Sequence, residues 1–314
     1  MPLRRLSLLF LLLCGASLLI GARQFAWQQA FALSGDAWLT LTASRLPRLA
    51  ALVLAGAGLA ISGVILQHIL RNRFVEAGTT GALDAAKLGI LLSLVWLPGA
   101  GTAGRMLFAL AFCLGASLLF LALVRRIRWQ HTVLVPVIGL SYGSLLSALA
   151  EFYAYRHNIL QSMRGWLLGD FSKVVQGQYE LLYLILPVVA LSFLYAQRFT
   201  LLGMGEEMAS SLGLGYAATA ALGLLLVALT VATTVITVGA IPFVGLVVPN
   251  WVALRHGENL GRSLPLVALG GATLLLACDI AGRLLIHPFE LPIGLTAAGV
   301  GGALFLLLIL RGLR

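Results

Sequence analysis

The stretch "TVGAIPFVGLVVPNWVALRHGE", residues 237–258, carries no charge before Arg255 and so reads as a membrane segment. It also holds Gly239, Pro242, Gly245 and Pro249. A proline in an ordinary helix interior costs about 3 kcal/mol, so the chain interrupts its own membrane helix here. In lipid, freed backbone groups need partners, so such a break is tolerated only against protein or beside a water-filled cavity. The glycines add close approach of neighbouring backbones. Two readings follow: a kinked packing helix, or a discontinuous helix beside a pathway.

The rest of the chain supports the membrane assignment. It is 60% hydrophobic and 10% charged, against about 25% charged in a typical soluble domain. The net charge of +10 is a weak argument for nucleic acid and fits basic residues at helix ends. Cys14, Cys113 and Cys278 lie in apolar runs without disulfide or metal spacing. Residues 1–22 begin with Arg4 and Arg5 and continue apolar. A secretory signal is one reading, but nine further apolar segments favour an uncleaved first helix.

A crossing needs about 20 apolar residues. The expectation is an all-α polytopic protein, a single transmembrane domain over residues 1–314, with about ten spans. They fall at 6–22, 46–68, 79–97, 104–124, 133–151, 178–197, 216–238, 241–254, 263–284 and 291–311. The positive-inside rule places both termini in the cytoplasm, with "RRIRW" (125–129) as the strongest single inner element. Residues 152–177 are then an outer, amphipathic segment. Residues 199–215 are an inner one with Glu206 and Glu207 between glycines, suited to a short docking helix or to a solvated loop. "SGVILQHILRNR" (62–73) weakly echoes "VGLVVPNWVALR" (244–255), as internal repeats of transporters do.

Enzyme signatures are missing from the sequence. The only lysines, Lys87 and Lys173, follow no phosphate-loop glycine, and neither a nucleophile elbow nor clustered Cys/His ligands occur. No catalytic or metal residue is expected, and no cofactor in this chain. The five histidines are scattered and read as interfacial residues. Asp279 and Arg283 are four apart, and Asp84 and Lys87 three apart, spacings that suit charge-neutralising pairs on a helix. Arg45 and Arg48 have no acidic neighbour in sequence. They suit an acidic partner surface or headgroup snorkelling.

Four stretches together resemble the FecCD family, the permeases of type II ABC importers for iron-siderophores and vitamin B12. They are "RLPRLAALVLAGAGLAISGVILQ" (45–67), "GEEMASSLGLG" (205–215), "GAIPFVGLVVPN" (239–250) and "CDIAGRLLIHPFELPIGLTAAGVGG" (278–302). Many members have His after the proline of "VVP"; here it is Asn250. With "FVEAGTTGALDAAKLG" (74–89) and "HPFE" (287–290), this looks like the catecholate or petrobactin-like branch rather than the vitamin B12 or haem importers.

The resemblance implies a ten-helix permease in the bacterial inner membrane. It would pair with a second permease, as homo- or heterodimer, with two ATP-binding subunits below and a periplasmic siderophore-binding protein above. ATP and Mg would belong to the ATPase subunits, and ferric siderophore would be the cargo, moved by alternating access. Arg45, Arg48 and Arg283 would meet the binding protein. Gly205, Glu206, Glu207, Ser211, Leu212 and Gly213 would form the coupling segment. Gly239, Pro242, Gly245, Pro249 and Asn250 would form the broken helix, and the fifth and tenth spans would line the pathway. The rivals are an ion-coupled secondary transporter, which needs mid-membrane carboxylates, and a membrane enzyme, which needs clustered titratable groups.

Overall fold

The computed structural model describes residues 3–20, 35–126, 134–286 and 288–312. Arg23, "IRW" at 127–129, His131, His287 and Arg314 lie outside them. Each of the ten expected apolar stretches contains a helix. In chain order the α-helices of the described residues are α1 (Leu3–Leu19), α2 (Gly35–Thr40), α3 (Leu46–Ile69), α4 (Ala82–Trp96), α5 (Thr102–Arg126), α6 (Leu134–Arg156), α7 (Leu160–Leu167), α8 (Ile185–Leu194), α9 (Ala196–Leu202), α10 (Glu206–Ser211), α11 (Tyr216–Val238), α12 (Val244–His256), α13 (Leu260–Leu285) and α14 (Ile293–Gly312); α2, α7 and α10 lie outside the ten stretches. A π-helical turn, Leu41–Arg45, joins α2 to α3.

Length divides the helices. Among the described residues, six helices are long and apolar enough to cross a membrane, and the bent pair Glu180–Leu194 and Ala196–Leu202 would make a seventh. The 13 residues of α12, at about 1.5 Å each, reach about 20 Å, short of a hydrocarbon core of about 30 Å. The helix in the expected span 241–254 is therefore too short to cross alone.

Two boundaries are corrected. The helix expected at 133–151 runs on to Arg156, so the outer segment begins later and holds α7. The span expected at 178–197 is bent by 69° near Tyr195. It opens with a 3₁₀ turn, Glu180–Leu184, and Pro187 sits in the first turn of α8, where the missing N–H costs no intrahelical bond.

Small residues put α3 at the centre. It packs against α13, α11 and α12. A Cβ on Gly56 would sit 2.6 Å from the Gly271 carbonyl oxygen of α13, and one on Gly63 would overlap the Gly245 carbonyl of α12. These backbones meet because neither side has a side chain, which is how membrane helices gain packing without a hydrophobic drive between them. At the rim, α6 and α14 leave Leu140, Leu145, Leu149, Phe152, Leu306 and Leu310 exposed. Cys113 and Cys278 are buried thiols, and Cys14 is half-buried.

Candidate functional site: a broken helix and two polar ends

The break is real and is held by backbone hydrogen bonds to neighbouring segments. After Val238, Gly239 takes a φ of 90°, which a side chain would disfavour. Ala240 then pairs in a single parallel bridge with Leu168. Ala240 N–H donates to the Leu167 carbonyl at 3.2 Å, Asp170 N–H to Val238 at 2.8 Å, and Gly294 N–H to Gly169 at 3.0 Å. The link 239–243 is thus stitched to the chain after α7 and to the start of α14. Phe243 is left-handed at φ 68°, and Gly301 of α14 leaves room for its side chain.

Three polar side chains complete the break. The restarted helix α12 offers the Phe243 N–H to the Glu76 carboxylate at 3.1 Å. Glu76 lies in the link between α3 and α4, and burial pushes its carboxyl up to about 7, while the N–H bonds of Phe243 and Leu246 pull the other way. Pro249 lies inside α12 and cannot donate to the Gly245 carbonyl. That oxygen instead accepts from Gln67 Nε2 at 3.3 Å, which also reaches the Val75 carbonyl at 3.3 Å. Asn250 Nδ2 donates to the carbonyls of Arg73 and Leu246, each at 2.7 Å. So Pro242 sits in the unwound link and Pro249 in a continuing helix. Of the five residues expected here, Gly239 and Pro242 make the link, and Gly245, Pro249 and Asn250 make the packed helix below it. Gln67 and Glu76 were not among the expected residues.

At one end of the bundle, Arg48, which has no acidic neighbour in sequence, has two in space. Arg48 Nε and Nη2 donate to Asp279 Oδ1 at 3.2 and 2.7 Å, and Nη1 to Glu290 Oε2 at 2.7 Å. Arg283 is 6% exposed and pairs with the other Asp279 oxygen. Its Nη1 also donates to the carbonyls of Ser17 at 3.0 Å and Ile20 at 2.7 Å. Arg45 donates to the carbonyls of Leu18 and Leu19. The network ties the ends of α1, α3 and α13 together. The Arg283–Asp279 pair is local, four apart on α13, but the partners of Arg48 come from elements 231 and 242 positions away, so no local sequence window contains them. Burying such charges demands this mutual pairing.

At the other end, Arg73 pairs with Glu258, and α10 stands out from the bundle. Gly205 (φ 99°) and Gly213 (φ 81°) bracket it. Gly205 and Ala209 are buried, while Glu206, Glu207, Ser211, Leu212 and Gly213 are exposed. Met204, Met208 and Leu212, spaced four apart, expose 45%, 55% and 59% of their surface. They leave apolar surface exposed at the short helix and its two ends, beside two carboxylates. Among the described residues, no group of three His, Cys, Asp or Glu side chains could hold a metal ion.

Residues 8–311 match the FecCD transport family. The chain is 60% identical over 310 residues to the ferric-anguibactin transport system permease protein FatD of Vibrio anguillarum (strain ATCC 68554 / 775), covering 99% of each chain. It is 43% identical to the petrobactin import system permease protein YclN of Bacillus subtilis (strain 168), covering 99% of this chain and 98% of the relative. Among solved structures, one described as an inward-facing conformation of a metal-chelate type ABC transporter superposes with a TM-score of 0.82 at 28% identity, over 98% of this chain and 97% of that one. An all-helical membrane chain with its helix broken at 239–243 and near-complete coverage by these relatives belongs to the FecCD transport family.

Proposed function

We propose that this chain is the transmembrane permease subunit of an ATP-driven importer that moves a ferric siderophore from a periplasmic binding protein to the cytoplasm by alternating access. The observation that carries this reading is the full-length likeness to a ferric-anguibactin permease. The end with α10 faces the cytoplasm and the Arg48 end faces the periplasm of a cell whose inner membrane holds the protein. Both termini are then cytoplasmic.

The partners follow from the two ends. The acidic α10, with its exposed apolar surface, is the segment an ATP-binding subunit grips. Its two glycines at positive φ let a short helix stand away from the bundle. ATP and Mg act in those subunits, and this chain performs no covalent step. A second permease covers the exposed faces of α6 and α14, and the cargo passes between the two. Arg45 and Arg48 lie at the rim on which the acidic lobes of the binding protein rest, and the buried Arg283 holds that rim together from beneath.

An ion-coupled carrier fits less well. Asp279, a carboxylate such a carrier could use, is taken up by Arg48 and Arg283. The second reading within the family, a vitamin B12 or haem permease, has fainter support than the siderophore relatives give. Growth under iron starvation, with one purified siderophore at a time and a strain lacking only this chain, tests the cargo. Loss of growth on a ferric siderophore is expected. Growth unaffected on every siderophore, with loss of vitamin B12 or haem use, would overturn it.

A further inference from the structure

Residues 70–81, which join α3 to α4, turn back into the bundle instead of leaving it. Asn72, Val75, Glu76, Ala77 and Thr80 are buried, although the segment holds only a 3₁₀ turn at Gly78–Thr80. Non-helical backbone is tolerated at membrane depth where protein encloses it. The segment also bonds to itself. Phe74 N–H donates to Asn72 Oδ1 at 2.9 Å, Glu76 N–H to Thr79 Oγ1 at 2.8 Å, and Thr79 N–H to the Glu76 carbonyl at 3.0 Å.

It begins on a strained residue. Helix α3 ends in a Schellman motif: Asn72 N–H donates to the Gln67 carbonyl at 2.9 Å, and Arg71 N–H to that of His68 at 3.3 Å. The left-handed position of that motif usually belongs to glycine, yet here it is Arg71, at φ 51°. Its guanidinium lies against Gly205, the buried residue just before α10: a Cβ there would sit 3.0 Å from Arg71 Nη1 and 3.2 Å from Cζ. Among the described residues, Arg71, Asn158 and Phe243 are the non-glycines of positive φ, and asparagine tolerates that state. The other two mark the two ends of one path: Arg71 beside α10, and Phe243 where Glu76 accepts its N–H at the start of α12.

Between those ends the segment runs alongside α12. The Arg73 carbonyl accepts from Asn250, and the Val75 carbonyl from Gln67, which also bonds Gly245. Past Glu76 it presses on α6, because a Cβ on Gly139 would overlap the Thr79 carbonyl oxygen.

We infer that residues 70–81 form a strut that carries displacement of α10 to the start of α12 and to α6, with Arg71 and Glu76 as its positioning residues. This rests on the function proposed above, in which an ATP-binding subunit grips α10. Close-packed interiors compress little and so transmit a push. At Gly205 and Gly139 the facing backbone has no side chain to yield. Backbone strain persists only where the surroundings impose it, and an arginine standing where glycine would be unstrained assigns the purpose to its side chain.

The test uses the assembled importer in nanodiscs, with Cys14, Cys113 and Cys278 replaced by alanine. Nitroxide labels are placed at Leu11→Cys on α1, which packs on α13 and α3, and at Ser144→Cys on α6, both exposed positions. Double electron–electron resonance reads the distance between them with and without a non-hydrolysable ATP analogue and Mg. The nucleotide should shift that distance in the importer with an unaltered strut. Arg71→Gly relieves the backbone and removes the side chain. It should keep the melting temperature and the bound ATP-binding subunits, and lose the shift. Arg71→Lys, which keeps a long cation beside Gly205, should retain part of it. Glu76→Ala should lose the shift as well, whereas Glu76→Gln, whose amide oxygen still accepts the Phe243 N–H, should keep it. A full shift in Arg71→Gly would overturn the inference, as would a distance that nucleotide leaves unchanged before any strut substitution. So would a shift lost only together with the ATP-binding subunits, since Arg71 would then be a docking contact. The two readings fail separately. ATP-binding subunits that never associate with the unaltered chain sink the proposed function. Bound subunits and a shift indifferent to Arg71→Gly sink the strut alone.

Discussion

Helices α3 and α6 are both apolar membrane segments, yet they live in different surroundings. In the most apolar stretch of Trp38–Ile69, 72% of residues are buried within the chain; in that of Leu134–Arg156, 22%, and in that of Ile293–Leu310, 17%. The first has glycines where other backbones press against it, Gly56 and Gly63. The second spaces Ser141, Ser144, Glu151 and Tyr155 along one exposed face, with the two serines donating back to their own helix at 3.0 and 2.8 Å. Hydrophobicity alone marks a segment as membrane-embedded. What it faces shows at particular small and polar residues: Gly56 and Gly63 of α3 where another backbone arrives, and Ser141, Ser144, Glu151 and Tyr155 of α6 on a face that no part of this molecule covers.

The sharpest way to break that comparison is to place the same valine on both helices. Gly63→Val forces a side chain into the Gly245 backbone, and loss of a monodisperse folded peak in size-exclusion chromatography is expected. Ser144→Val on α6 should elute and melt like the unaltered protein, within about 0.5 kcal/mol. Folding of the first, or collapse of the second, would reverse the assignment of core and rim.

Next in size is the charge network that closes one end over α3. Asp279→Asn leaves Arg48 and Arg283 sharing too little negative charge, and should cost about 3–5 kcal/mol, read as a large drop in melting temperature. Gln67→Leu acts on the same helix lower down. It removes the donor that replaces the proline-deleted bond at the Gly245 carbonyl, and should cost about 1–3 kcal/mol.

A separate effect is on pH dependence. With its carboxyl raised to about 7 in the fold from the ordinary 4.5, Glu76 keeps its proton in the folded state over a range where the unfolded chain has lost it. Stability from this group is present at low pH and declines as pH rises from 4.5 through 7. The melting temperature should fall more between pH 5 and pH 8 in the unaltered protein than in Glu76→Gln. Parallel pH profiles would show that Glu76 does not titrate in this way.

Much of this was readable from the chain alone. All ten apolar stretches hold helices, and the interruption follows from Gly239 and Pro242, because glycine and proline act locally. The glycine-bracketed short helix at 206–211 is equally local. What escaped the sequence is long-range. Arg48 meets Asp279 across 231 positions, and Gln67 meets Gly245 across 178, so neither pairing has a spacing to recognise. Glu76 stood in a quoted motif, but its role depends on a helix start 167 positions away. The bend near Tyr195 carries neither glycine nor proline at the break and has no local signature.

The central claim is that this chain is a conduit wall moved by ATP hydrolysed in separate subunits that hold α10. Reconstitution into proteoliposomes, with and without the ATP-binding subunits, tests it most directly. The account predicts ferric siderophore uptake only with those subunits and ATP present, and loss of both uptake and ATPase association when Glu206 and Glu207 are replaced by lysine. Uptake by the permease without any ATPase, or undiminished import and association in the lysine variant, would contradict it.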